Sequence, residues 1–282
     1  MPAHPIVDAH LHVWDPRRLR YPWLAGNALL DRPWLMADYD AATAGTDVEA
    51  MVFVQCETDP AQAADEAAWV AGLAAGDPRI RGMVAWAPLE RGRGAAADVA
   101  ALTRHAILRG VRRIIQFEPD LDFCLRPDFV EGVRMLADFG LSFDICVDHR
   151  HMANVLRLAA AVPDVPLMLD HIGKPAIRDG LHAPWAGHMR ELARMPHVTC
   201  KLSGVATEAA PGFADGDLDR WVDTAIEAFG FDRLCFGGDW PVVLGAAPLS
   251  RWIGWVDRRL AGVPESHRRK VWRDNAVRFY RL

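Results

Sequence analysis

Ile6-Val7-Asp8-Ala9-His10-Leu11-His12-Val13-Trp14 carries apolar residues at positions 7, 9, 11 and 13 and polar ones at 8, 10 and 12. A period of two marks a β-strand whose two faces differ. It puts Val7, Ala9, Leu11 and Val13 on one face and Asp8, His10 and His12 on the other. Imidazoles two residues apart on one strand face can share a ligand, and neutral imidazole both binds metals and exchanges protons near pH 7. A His-x-His pair alone suits satisfied core or surface histidines equally well, so its meaning rests on the remainder of the chain.

Outward from this strand, apolar runs alternate with helical stretches. Strands are predicted over 48–57, 81–89, 110–116, 141–148, 166–172, 198–203 and 233–239. Helices fall near 60–75, 95–108, 127–139, 151–162, 185–195 and 218–229, with Gly76-Asp77-Pro78, Gly140 and Gly230 as stops. Two closing helical stretches cover about 249–260 and 265–280. Eight strands alternating with helices, with no break in composition, predict an α/β fold: a single (β/α)8 TIM barrel over 1–282 with extra C-terminal helices. A doubly wound open sheet is the alternative, but no strand–helix turn carries its Gly-x-Gly-x-x-Gly phosphate fingerprint. The segment 15–47 is rich in Pro, Trp and Arg, lacks periodicity, and reads as a functional loop or lid.

Composition excludes several functions. With 51% hydrophobic and 24% charged residues, the 282-residue chain is globular and large enough to bury a substantial core. A net charge of −5 with scattered arginines leaves no basic stripe for nucleic acid. No apolar run is long enough for a bilayer and no signal peptide precedes the first strand, so no membrane partner and a cytoplasmic location are expected. Five cysteines without CxxC spacing read as buried free thiols, not as a disulfide framework or zinc ribbon. The oligomeric state is not readable.

In a barrel, the C-terminal strand ends share one open face and supply the active site. Here they carry His10 and His12, Gln55 and Glu57, Arg112 and Arg113, Asp144, Asp148 and His149, Asp170, His171 and Lys174, Lys201 and Ser203, and Asp239. So many buried charges are costly unless they pair, bind a metal or face a wet pocket. Arg112 and Arg113 lie on opposite faces, so at most one points inward. Lys201 suits either a pocket role or an ion pair with Glu57 or Asp170, and Lys174 suits substrate contact or plain solvation. Trp14, Tyr21, Trp23 and Trp34 can stack on a substrate ring or anchor the loop. His149 and His151 read as surface groups at a helix start, and the remaining histidines as bystanders.

Several motifs carry a resemblance. Asp8-Ala9-His10-Leu11-His12-Val13-Trp14-Asp15, Gly110-Val111-Arg112-Arg113, Leu169-Asp170-His171-Ile172-Gly173-Lys174-Pro175, Cys200-Lys201-Leu202-Ser203-Gly204, Phe236-Gly237-Gly238-Asp239-Trp240-Pro241 and Asn275-Ala276 occur in this order. Over essentially its whole length the chain resembles the lactonase-like branch of the amidohydrolase superfamily. That branch includes sugar lactonases of the L-fuconolactone and L-rhamnonolactone type and the pyrone dicarboxylate hydrolase. The resemblance implies that His10, His12 and His171 form the histidine set and that Asp239 activates water. The strand 110–116 lacks the bridging Lys or Glu of the superfamily's two-metal pattern. One Zn-like ion at most is therefore implied, on His10, His12, His171 and Asp239, and the resemblance allows it to be dispensable, since members of this branch are known that work with none.

The expectation is a hydrolase that opens a sugar-acid lactone. Trp14, Trp23, Glu57, Arg112 or Arg113, Lys174 and Lys201 would hold the substrate. A pyrone-dicarboxylate-type hydrolase, a decarboxylating lyase on the same scaffold, and a sugar-acid binding protein are the alternatives.

Overall fold

A computed structural model describes residues 2–282. Ile6–Leu11 (β1) is buried along its whole length and pairs in parallel with Val48–Val54 (β2). The strands Ile80–Ala85 (β3), Leu108–Val111 (β4), Ser142–Ile145 (β5), Leu167–Leu169 (β6), Val198–Leu202 (β7) and Leu234–Phe236 (β8) follow, each parallel to the one before. The sheet closes just beyond the last strand. Asp239 N donates to His10 O and His12 N to Trp240 O, both at 2.8 Å. Eight parallel strands with interleaved helices make the predicted (β/α)8 barrel.

The helices are Met36–Ala42 (α1), Ala63–Gly76 (α2), Ala96–Leu102 (α3), Pro127–Met135 (α4), Met152–Ala161 (α5), Ala183–Leu192 (α6), Asp219–Phe229 (α7) and Leu249–Arg259 (α8). Glu265–Arg269 (α9) runs through a π-helical turn, Lys270–Asp274, into Asn275–Tyr280 (α10). The segment 15–47 is not wholly irregular, since α1 lies within it. The strand ladders stop one to five residues before the predicted ends, at Val54, Ala85 and Val111 for example. The apolar runs continue past them because the loops above the sheet are also packed.

The first strand departs from strict alternation. Its register with β2 shifts between Asp8 and Leu11. Val7 and Ala9 pack inside the barrel with Val52, Val54, Met168, Cys235 and Tyr280. Leu11 and Val13 join the core between sheet and helices. Asp8 accepts a hydrogen bond from Tyr39 Oη of α1 at 2.9 Å, whereas His10 faces Lys201 across the barrel. The irregularity therefore separates Asp8 from the two histidines that strict alternation had placed on its face. Bulges of this kind recur beside active sites because they re-aim side chains.

Tyr280 plugs the end of the barrel remote from the histidines, and all five cysteines are free and buried. His151, expected on the surface, is fully buried and pairs with Asp148 at 3.2 Å. Among the described residues no helix is long and apolar enough to cross a membrane.

Candidate active site

Four side chains from three strand ends converge. His12 Nε2 lies 3.6 Å, His10 Nε2 3.7 Å and His171 Nε2 3.9 Å from one oxygen, Oδ1 of Asp239. His10 and His12 face each other through their Nε2 atoms at 3.1 Å. Each ring is held from behind. His12 Nδ1 donates to Val54 O at 2.7 Å, and His171 Nδ1 lies 2.9 Å from Ser203 Oγ. Asp8 accepts from the backbone N–H of Gly238 at 2.7 Å and of His10 at 3.0 Å, tying the first strand to the loop that carries Asp239. A Cβ at Gly238 would stand 2.4 Å from Asp8 Oδ2, so only glycine allows that approach.

The backbone is strained where the site is built. Glu57, His171, Lys174 and Asp239 all have positive φ, between 41° and 55°. Such conformations cost about 1–3 kcal/mol each in side-chain-bearing residues and gather at functional sites.

Burial lowers the proton affinity of His10 and His171 well below that of free imidazole, and that of His12 as well, so all three rings are neutral. Burial works against charge on Asp239 too. Surrounding groups, Lys174 among them, more than offset it, and the carboxylate is held below its ordinary range. The floor thus combines an ionised carboxylate with neutral imidazoles.

Beneath the histidines lies a layer of buried charge. Lys201 Nζ donates to Asp144 Oδ2 at 2.6 Å and stands 3.0 Å from Asp170 Oδ1. Burial alone would discharge this lysine, but Asp144 and Asp170 keep it protonated. Arg112 Nη2 donates to Gln55 O at 2.6 Å, and its Nη1 pairs with Asp170 Oδ2 at 3.3 Å.

A pocket of ≈ 240 Å³ opens above this floor. His12, His171, Asp239, Glu57, Arg112 and Lys174 line it, with Trp14 and Trp23 on one wall. Trp14 is buried and donates to Leu30 O and Arg32 O, so it anchors the loop as well, whereas Trp23 is 39% exposed. His10 stands behind His12, fully buried. Of the two arginines, Arg112 faces the pocket. Arg113 turns away to Glu90 at 3.3 Å and Glu118 at 2.5 Å. Lys201 is fully buried under the floor, out of reach of a pocket occupant, and pairs with Asp144 and Asp170, not Glu57. Lys174 lies 3.9 Å from Glu208. Tyr21 and Trp34 are buried away from the pocket.

Sequence reasoning missed Gln116, Phe117, Ile114, Cys146 and Val242 in the lining. Gln116 and Ile114 follow β4 directly, and a count of residues beyond the arginine pair would have flagged them. The 72% exposure of Phe117 had no sequence signal. A larger surface groove, ≈ 580 Å³, lies between the 177–178, 209–217 and 219–223 segments and carries none of the candidate residues.

The amidohydrolase family model matches residues 7–282. The chain belongs to the amidohydrolase family. It is 35% identical to the L-fucono-1,5-lactonase of Burkholderia multivorans, over 98% of this chain and 96% of that protein. To the L-fucono-1,5-lactonase of Burkholderia ambifaria it is 31% identical, over 98% and 95%. A crystal structure of an amidohydrolase from Burkholderia multivorans with bound zinc superposes with a TM-score of 0.89 at 34% identity, covering 99% of this chain and all of the other.

This amidohydrolase has donors that suit a single cation. His10, His12 and Asp239 offer ligand atoms within 4.8 Å of one another, as do His10, Asp170 and His171. Two nitrogens on one tetrahedral zinc, each at about 2.0–2.1 Å, stand roughly 3.3–3.4 Å apart. The His10–His12 spacing of 3.1 Å is close to that, and both nitrogens face Asp239. The donor set fits one ion. Residues 110–116, at and beyond β4, include no Lys or Glu to bridge a second.

Proposed function

We propose that this amidohydrolase opens the ring ester of a sugar-acid lactone, with an L-fucono-1,5-lactone-like compound as its substrate. The observation that carries the reading is the ionised Asp239 carboxylate at the centre of three neutral imidazoles, on the floor of a small pocket with aromatic walls. The names of the two Burkholderia relatives support the substrate class.

Asp239 takes one proton from a water molecule, and the oxygen left behind forms a bond to the lactone carbonyl carbon. Negative charge grows on the carbonyl oxygen. The imidazole group and the Arg112 guanidinium, themselves buried, meet it where such stabilisation counts most. The ring C–O bond then breaks, and Asp239 returns its proton to the departing ring oxygen, giving the hydroxy acid. A divalent cation on His10, His12, His171 and Asp239 would supply Lewis-acid polarisation of the same carbonyl. We infer a single, loosely held ion that turnover does not require, because Asp239 serves poorly as tight ligand and free base at once.

Charge accounting favours a neutral polyhydroxy lactone over a pyrone dicarboxylate. Arg112 is paired with Asp170 and Lys174 with Glu208, while Glu57 adds a further negative group to the lining. Glu57 and Gln116 suit hydroxyl groups, and Trp14 and Trp23 suit the apolar face of a sugar ring. A decarboxylating lyase and a sugar-acid binding protein make different forecasts in one experiment. A panel of aldonolactones is assayed with a pH indicator, using wild type and Asp239→Asn. Acid release on at least one 1,5-lactone, falling about 10²–10⁴-fold in the variant, is expected. Turnover of none, or near wild-type rates for the variant, overturns the reading.

A further inference from the structure

The Glu57 carboxylate stands at the end of a turn whose polar groups are tied down one by one. β2 stops at Val54, and the next two residues are bonded to four different parts of the barrel. Gln55 N donates to Val84 O of β3 at 2.8 Å, and Arg112 Nη2 donates to Gln55 O at 2.6 Å. Cys56 N donates to Glu66 Oε1 of α2 at 3.2 Å, and Trp23 Nε1 donates to Cys56 O at 2.8 Å. Glu57 follows in the left-handed region, at φ 53°.

The fully buried side chain of Gln55 closes this turn. Its Oε1 accepts from Glu57 N at 2.6 Å, and its Nε2 donates to Glu57 Oε1 at 2.7 Å. These partners fix which way the amide faces, since an N–H only donates and an ionised carboxylate only accepts. One oxygen of Glu57 is thereby committed inside the protein. The other, Oε2, takes no hydrogen bond or ion pair from the described residues, and Glu57 lines the pocket.

The surroundings say what that oxygen meets. Trp23, on the pocket wall, hangs from Cys56, the residue before Glu57, so wall and carboxylate keep a fixed register. An aromatic face beside a charged acceptor matches a saturated ring with C–H faces and hydroxyl edges. Arg112 and Lys174 line the same pocket and would repel a cationic group. A hydroxyl donates to Glu57 and also accepts from these cations.

We propose that Glu57 is a specificity-determining residue that reads one ring hydroxyl of the lactone through Oε2, and that Gln55 is the positioning residue that aims it. Because Gln55 and the four backbone ties set the carboxylate in place beforehand, little ordering is left to binding. A ring that lacks this hydroxyl leaves a desolvated carboxylate without its donor, and such a loss discriminates strongly. The inference rests on the proposed lactonase reading for the identity of the ring.

The test compares L-fucono-1,5-lactone with its 2-deoxy, 3-deoxy and 4-deoxy analogues, reading kcat/KM, and the corresponding 1,5-lactams, reading Kd by tryptophan fluorescence. In wild type one deoxy analogue should be poorer by about 10–100-fold, the range for a hydrogen bond to a charged group. Glu57→Ala should bring that ratio to within about threefold of one. Gln55→Asn keeps an acceptor for the N–H two residues on but is too short to reach the carboxylate as well. It should lower the ratio at least about threefold, the scale on which neighbours in one hydrogen-bond network couple, and should change nothing further in a Glu57→Ala background. A Glu57→Ala ratio equal to that of wild type overturns the proposal. So does a Gln55→Asn variant that slows all four lactones alike, since a merely structural role would do that. Lactams that bind with this discrimination while no lactone is hydrolysed would refute the hydrolase reading and leave Glu57 as the hydroxyl reader. Lactone hydrolysis that ignores every ring hydroxyl would refute this inference alone, and a pocket that takes neither series refutes both.

Discussion

Glu66→Gln should stabilise the protein at neutral and alkaline pH and do nothing near pH 4. Glu66 lies on α2, 2% exposed, and accepts the backbone N–H of Cys56 at 3.2 Å through Oε1. Burial pushes its carboxyl from the ordinary 4.5 up to about 8. The folded protein therefore keeps this proton through neutral pH while the unfolded chain loses it above about 4.5. In that window the folded state binds more protons, so stability falls as pH rises from about 4.5 to about 8 and is level above that. Each pH unit is worth about 1.4 kcal/mol, so roughly 3 kcal/mol has gone by pH 7. Glutamine keeps an acceptor for the Cys56 N–H and cannot ionise, so it recovers most of this. At roughly 2–4 °C per kcal/mol for chains near this size, the melting temperature should rise by roughly 5–10 °C at pH 7. Thermal unfolding of both proteins at pH 4, 7 and 8.5 checks it. A difference in Tm that is the same at all three values, or a variant less stable than wild type at pH 8.5, refutes the reasoning.

Gly204 has φ +60°, and a Cβ there would stand 2.5 Å from His171 Nδ1; Gly204→Ala should displace the ring and cut lactone turnover at least tenfold, checked by steady-state kinetics alongside a folded circular dichroism spectrum. Trp23, whose Nε1 donates to Cys56 O at 2.8 Å, forms a half-exposed wall of the pocket. Trp23→Ala should raise KM by about tenfold with kcat within twofold, the pattern of lost uniform binding; a kcat loss of similar size would place the ring in the transition state instead. After prolonged chelation, with metal content measured on the assayed sample, activity should persist. Activity that vanishes with the metal and returns in proportion to added zinc would show the cation to be required.

The barrel was legible because its signals are local. Alternation of apolar runs with helices needs only a window of residues, and Gly140 and Gly230 mark real helix ends, in left-handed or otherwise positive-φ conformations. The convergence of His10, His12, His171 and Asp239 was also within reach, because parallel strands in a closed barrel put every C-terminal end on one face. Strand ends were overextended because burial continues past the hydrogen-bonded ladder. Which arginine faces inward was not legible: β4 stops at Val111, so Arg112 and Arg113 both sit beyond the alternation that would have decided it.

The same limit explains Asp8 and Lys201. Strict alternation places Asp8 beside the histidines, yet one shift of register sends it outward to Tyr39 and the Gly238 amide. No window on β1 contains that information, because the shift is stabilised by partners 31 and 230 residues away. Lys201 reads as a pocket cation when seen only as a charged residue near the end of an apolar strand. What makes it a floor residue is that Asp144, Asp170 and His10 reach it across the barrel, from β5, the end of β6 and β1. A charge in this layer cannot serve a substrate, since its protons are already committed to these neighbours. Its influence on chemistry must pass through the ring and the carboxylates it touches.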